Sequence, residues 1–514
     1  MTVDRTVQMA HVNYVPLLIG LCVPVFLAAF HSYSVSTAIT AISGEIGVRR
    51  EIGIWLLTSY SIAHTIGFPL AGRLSYMLGL RHLFLLSVFV FALASLLAGL
   101  TNSWNMLLLA RVIQGFSGAC VSGASLAIMT EQFSPEKRIT PVALWGLFTY
   151  VSPGIGPPIG GFLSNVHWHW IFLSTVPIAM MCFFLVLFSI ERSVVLEHRK
   201  SKTFDWVGAS ILALGLGSLQ IAMDRGQIDD WFRSKRIIFL CTVAAVMLTA
   251  LFIWDLYHSR PYVNFKLISS DPFLYVSIMA GGGMALIFSS FAIEADWLQS
   301  ALGYPPVSAG LVIGPLGIFP PILVLLFRYV IHKLDLRIWT VMGLLIFAIS
   351  FFLLSKINLY SSFAYLCWVR VLQGIGIPIF TMASSAIIYA QLPEVKLPYV
   401  ASMYSFSRGV IISLTQSLVQ TLWIHRTAFY QTRMAERSDP SGILMQSLLQ
   451  EVEHVTGPGH QAVAVANDLV VAQAQTLGLA DIYYLFAWVC VGLTFLVFFY
   501  NTRKKTATHT VLNY

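Results

Sequence analysis

Arg111-Val112-Ile113-Gln114-Gly115 returns late in the chain as Arg370-Val371-Leu372-Gln373-Gly374. Each copy follows an apolar run and precedes a glycine-rich one. Two five-residue matches are short, and their placement carries the argument. Working outward from them, apolar stretches near the roughly 20 residues needed to cross a bilayer recur fourteen times. They lie near 15–39, 53–71, 82–101, 105–129, 140–164, 170–190, 206–224, 237–256, 273–295, 307–327, 338–355, 362–390, 399–424 and 482–500. The two copies fall in the fourth and twelfth. That spacing fits two six-helix halves with two extra helices between them, and repeats of this kind mark membrane transporters. The expected fold is an all-α polytopic membrane protein. Its expected parts are a half at 1–195, two inserted helices at 196–260, and a half at 261–514 carrying an external loop at 425–480.

Composition agrees. Only 11% of the 514 residues are charged and 57% are hydrophobic. A soluble domain carries about 25% charge, so a cytosolic enzyme, a disordered chain and a secreted disulfide scaffold are excluded. The net charge of +8 forms no long basic run, so no nucleic-acid partner is expected. The six cysteines lie in apolar stretches without a CxxC pair, and neither a disulfide framework nor a metal site is expected. The first apolar run is too long for a signal-peptide core and reads as the first span. If both termini are cytoplasmic, eighteen lysines and arginines fall inside, ten outside and three within spans. The bias favours that orientation, although Arg49-Arg50 and the 225–236 loop oppose it. The polar 425–480 segment then lies outside, with a helix expected at 462–477, and it is the best candidate for contact with an external partner.

Ionisable residues in a span are functional candidates by default. Arg111 reads either as a brace satisfied by carbonyl groups or as part of a proton or substrate path, and Arg370 and Arg408 pose the same choice. Glu294 and Asp296 stand near the outer end of the ninth span, and of the 23 acidic residues they are read as the two near a span interior. A desolvated carboxylate can load and release a proton near neutrality, so they are the first candidates for a protonation switch. His31 and His64 are further proton candidates. Ser32, Tyr33, Ser34 and Ser36 make a polar face around His31 that suits a water-lined cavity. Gln114 and Gln373 join the cavity candidates. The fifth span holds Gly154-Ile155-Gly156-Pro157-Pro158-Ile159-Gly160-Gly161. Prolines kink a helix, and Gly156 with Gly160 lets another helix approach closely; a bent, tightly packed gate helix is expected.

These residues carry a resemblance. The chain resembles the fourteen-span drug:proton antiporters of the major facilitator superfamily. Arg111 to Gly115 match the family's fourth-helix proton-linked motif, and Gly154 to Gly161 match its more specific fifth-helix antiporter motif. Leu219-Gln220-Ile221, Asp224-Arg225-Gly226, Asp230-Trp231-Phe232, Ala143-Leu144-Trp145 and His332-Lys333-Leu334-Asp335 are similar to EmrB-type multidrug export subunits of Gram-negative bacteria. The resemblance implies a bacterial inner-membrane pump that exchanges protons for lipophilic compounds. It needs no cofactor besides the proton gradient, and it works with a periplasmic membrane-fusion adaptor and an outer-membrane channel. Two departures stand out. Phe30-His31-Ser32-Tyr33 stands where such exporters carry a first-helix aspartate, and Tyr76-Met77 replaces the Asp-Arg pair of the loop that otherwise keeps Gly72, Gly79 and Arg81. A narrower cargo is therefore kept as the alternative, one endogenous metabolite such as a siderophore or fatty acid. A polytopic enzyme would need clustered catalytic groups, and the carboxylates and histidines here are scattered.

Overall fold

A computed structural model describes residues 14–133, 139–189, 205–257, 263, 265–269, 271–330, 333–389, 397–437 and 460–499. Each of the fourteen apolar stretches is helical over most of its described residues. The first half holds α1 Tyr14–Ile46, α2 Trp55–Leu78, α3 Leu80–Leu100, α4 Trp104–Gln132, α5 Ile139–His167 and α6 Trp170–Ser189, the last interrupted near Ser174. The intervening pair is α7 Trp206–Arg225 and α8 Lys235–Tyr257. The second half holds α9 Asp271–Ser300, α10, α11 Leu336–Leu354, α12 Phe363–Tyr389, α13 Leu397–Arg437 and α14 His460–Phe499. The α10 helix is broken into Pro306–Ile313, a 3-10 turn at Gly314–Gly317, and Phe319–Val330. Among the described residues, ten helices are long and apolar enough to cross a membrane by themselves.

The two halves repeat one packing scheme. α1 packs on α5 and α6, and α4 on α2 and α3; in the same way α9 packs on α13 and α14, and α12 on α10 and α11. Two seams join the halves, α5 with α10 and α2 with α13, as a twofold relation between the halves requires. α7 and α8 pair with each other, and α7 lies against α2 and α13. Asp205 caps α7 by accepting from the Gly208 amide at 2.9 Å and also takes the Trp254 indole N–H of α8 at 2.9 Å. Gln220 of α7 donates to the Ser413 carbonyl at 3.2 Å and to Ser417 Oγ at 2.6 Å on α13. Gln220→Leu removes both bonds between α7 and α13. The expected cost is about 1–3 kcal/mol, read as a lower thermal midpoint of the detergent-purified protein.

The external loop expected at 425–480 is corrected by the structure. Residues 425–437 continue α13, and 460–480 begin α14; 438–459 lie outside the described residues. The expected helix at 462–477 is the first part of α14. Hydropathy registers only the lipid-facing part of a helix, whereas these extensions are held by polar pairing. Trp423 donates to the Gln475 carbonyl at 3.1 Å, Tyr430 to Asp481 at 2.9 Å, and Arg426 lies 3.7 Å from Asp481. Gly478 brings α14 against Thr427.

At the loop motif, Gly79 takes φ +80° between α2 and α3, a left-handed conformation that favours glycine. Arg81 donates to the Leu187 carbonyl of α6 at 2.9 Å.

Candidate functional site

Arg111 is fully buried. Its Nε donates to the Leu56 carbonyl at 2.9 Å, Nη1 to Gln114 Oε1 at 2.7 Å, and Nη2 to the His31 carbonyl at 3.2 Å. The guanidinium also sits 4.3 Å from the Tyr60 ring centroid. Gln114 in turn donates to Ser95 Oγ at 2.8 Å. Each of these acceptors is neutral. The first half thus holds a buried cation with carbonyl dipoles and a π face, which are weaker partners than a carboxylate.

Arg370 repeats the arrangement with one change. Its Nη1 donates to Gln373 Oε1 and, at 3.0 Å, to Ser290 Oγ, and its guanidinium lies 5.5 Å from the Phe291 ring centroid. Its Nη2 forms an ion pair with Glu294, which is 1% exposed. Among the described residues, Glu294 Oε1 has no hydrogen-bond partner. Residue 31 of α1 supplies only a backbone carbonyl to its arginine, while α9 supplies a carboxylate to the repeat-mate. The acidic group missing from the first helix is therefore present in the second half, on the helix that corresponds to it.

The structure separates the other predicted residues. Asp296, two positions on, is only half-buried. His31 points into the first half, away from its partner half. Its ring stacks on Phe172 at 5.5 Å and meets Phe91 edge-on at 5.6 Å. Its Nε2 lies 3.2 Å from Thr175 Oγ1. Thr175 donates its own proton to the Phe172 carbonyl, so the ring proton sits on Nε2, and among the described residues Nδ1 has no partner. Gln114 and Gln373 are consumed in bracing the arginines. Tyr33 crosses to the other half, stacking on Phe288 at 5.7 Å and meeting Phe291 at 6.2 Å. His64 stacks on Tyr60 at 5.7 Å and meets Phe68 at 4.8 Å. Arg408 of α13 is close enough for its charge to act on both Tyr33 and His64. Tyr33, His64 and Arg408 thus gather where the halves meet. Ser36 donates to the Tyr33 carbonyl at 2.6 Å.

The glycine-proline helix works on two faces. Gly156 and Gly160 receive α1, where an added Cβ meets Tyr33 and the Ser34 backbone. Gly154 and Gly161 receive α10, where it meets the Gly317 and Pro306 backbones. Thr37 of α1 donates to the Pro157 carbonyl at 3.2 Å. The proline-bearing α5 and the broken α10 therefore meet backbone to backbone across a seam between halves.

Sequence reasoning missed several groups. Asp255 of α8 is buried and accepts from the Val263 amide at 3.1 Å, and half-buried Asp224 of α7 accepts from Gln220 and Ser417. So Glu294 and Asp296 are not alone among withdrawn carboxylates. Both extra groups sit at span ends, where the apolar pattern assigns water. Tyr60, the platform for Arg111, carried no signal beyond being aromatic.

A family model described as Major Facilitator Superfamily matches residues 21–357. The multidrug export protein EmrB of Escherichia coli (strain K12) is 31% identical, covering 94% of this chain and 94% of that protein. The fatty acid resistance protein FarB of Neisseria gonorrhoeae is 28% identical over 92% of this chain and 93% of its own. Among solved structures, a mutant form of the peptide transporter POT, in complex with sulfate, superposes with a TM-score of 0.58 at 13% identity. The match covers 93% of this chain and 95% of that one, a likeness of fold.

Proposed function

The chain belongs to the major facilitator superfamily, a family of membrane transporters and not of enzymes, and on that premise we propose that it is a proton-coupled exporter of lipophilic compounds. The full-length similarity to a multidrug export protein supports the cargo class. The buried Glu294–Arg370 pair carries the proton coupling. A carboxylate withdrawn from water can exchange its charge for a proton, and an arginine beside it responds to the change. With Glu294 charged, α9 is tied to α12. With Glu294 protonated, the pair loses its Coulomb attraction and the helices are free to move. The halves rock about the seams α5–α10 and α2–α13, and Tyr33, Arg408 and His64 line the meeting zone through which cargo passes.

The protein acts in the bacterial inner membrane with both termini cytoplasmic, as the lysine and arginine bias favours. The extended α13–α14 pair then projects on the periplasmic side and is the surface that meets a membrane-fusion adaptor, which hands cargo to an outer-membrane channel.

Purified protein in liposomes with an imposed proton gradient tests the reading. Gradient-driven movement of several unrelated lipophilic dyes is expected, and movement that ignores the gradient contradicts it. A narrower reading is favoured by the similarity to a fatty acid resistance protein and by the altered first helix. Export of long-chain fatty acids with no dye moved would establish that alternative.

A further inference from the structure

The ends of α1 and α5 meet in a cluster that the transport mechanism leaves unused. Glu45 stands near the end of α1, and His167 and His169 flank Trp168 in the turn from α5 to α6. One ligand atom from each of the three lies within 4.8 Å of the others. Nδ1 of His167 and Nδ1 of His169 are 2.9 Å apart.

The groups behind them fix this arrangement. His169 Nε2 lies 2.9 Å from Asn102 Oδ1. A carbonyl oxygen only accepts, so the His169 ring proton is on Nε2 and the Nδ1 lone pair faces His167. Trp168, 1% exposed, donates its indole N–H to Glu45 Oε2 at 2.8 Å. The same indole stacks on the His169 ring with centroids 3.6 Å apart. One buried residue thus orients two of the three ligands, and the Asn102 amide sets the tautomer of His169. Histidine ligands of metals are ordinarily held by this kind of hydrogen bond from the other ring nitrogen. Two nitrogens on a tetrahedral ion stand about 3.4 Å apart, so the imidazoles need to open by only about half an ångström around an ion.

We propose that Glu45, His167 and His169 bind a divalent transition ion of the zinc class, with a water completing the coordination, at the outer joint of α1, α5 and α6. In the metal-free protein, His167 donates its Nδ1 proton to His169. On binding, that proton moves to the exposed Nε2 of His167, and both Nδ1 lone pairs face the ion. The ion then ties α1 to the α5–α6 turn. The His-x-His spacing is visible in the sequence, but the third ligand comes from another helix far upstream.

Zinc titration of the full-length, tag-free protein, stripped with chelator and held in detergent, tests the site against a competing zinc-binding dye. One saturable site per chain is expected. His169→Ala and Glu45→Gln are expected to weaken it at least tenfold, and Asn102→Ala by roughly 10- to 100-fold by releasing the tautomer. His425→Ala, an exposed histidine elsewhere, is expected to leave the affinity unchanged. Asn102 contributes no metal ligand, so its variant reads the positioning without removing one. Absence of saturable binding in the millimolar range, or one affinity shared by the wild type and the Glu45, His169 and Asn102 variants, overturns the proposal.

Discussion

Glu294→Gln is expected to abolish gradient-driven export, by roughly tenfold or more, while leaving the protein folded and able to exchange cargo across the membrane in both directions. Removing one member of a buried ion pair commonly costs about 3–5 kcal/mol, because the other charge is stranded. Here the first half shows how an arginine in this setting is accommodated. Arg111 is buried with carbonyl acceptors and the Tyr60 ring. In Glu294→Gln, Arg370 keeps Ser290, Gln373 and the Phe291 face and gains an amide oxygen of the same shape. The substitution therefore removes the proton site with little loss of packing. Gradient-driven uptake and cargo exchange in the same liposomes separate the two effects. An exchange rate that collapses together with uptake points to misfolding or lost binding, not lost coupling.

Gly154→Leu is expected to eliminate export through a different cause. A Cβ at this position falls on the backbone of Gly317 in α10. Backbone cannot rotate aside as a side chain can, so α5 and α10 have to separate. Overpacking of this kind costs about 1–3 kcal/mol within a core. At a seam that opens and closes, that cost falls on the closed state alone. The expected protein reaches the membrane at normal levels but stays with the α5–α10 seam apart, which cysteine labelling along α10 detects as increased access. Gly217→Leu is the control, since an added Cβ there meets nothing within 4 Å among the described residues. Equal losses in both variants would show that the seam has no special part.

What the sequence revealed, and where it stopped, follows from the physics of each residue. Arg111, Arg370 and the glycine-proline helix were legible because charge and backbone-breaking residues in apolar stretches are costly and persist only for a reason. The pairing of Glu294 with Arg370 was not. Glu294 and Asp296 differ by two positions in a helix, which turns them to different sides, and only the packing of α12 shows which one meets an arginine. His31 looked like a substitute for the missing aspartate by position alone. Its ring instead enters an aromatic cage of Phe91 and Phe172, a placement set by α3 and α6 that no local pattern encodes. The start of α14 was legible as a helix at 462–477, whereas the extension of α13 through 425–437 was hidden, because hydropathy detects lipid contact and not helix.

The central claim is that Glu294 carries the proton that cargo displaces. Proton release on cargo binding measures this most directly, using a pH-sensitive dye with the weakly buffered, detergent-purified protein. The wild type is expected to release protons in proportion to bound cargo, and Glu294→Gln is expected to bind cargo while releasing none. Undiminished release from Glu294→Gln would place the coupling proton elsewhere and contradict the account.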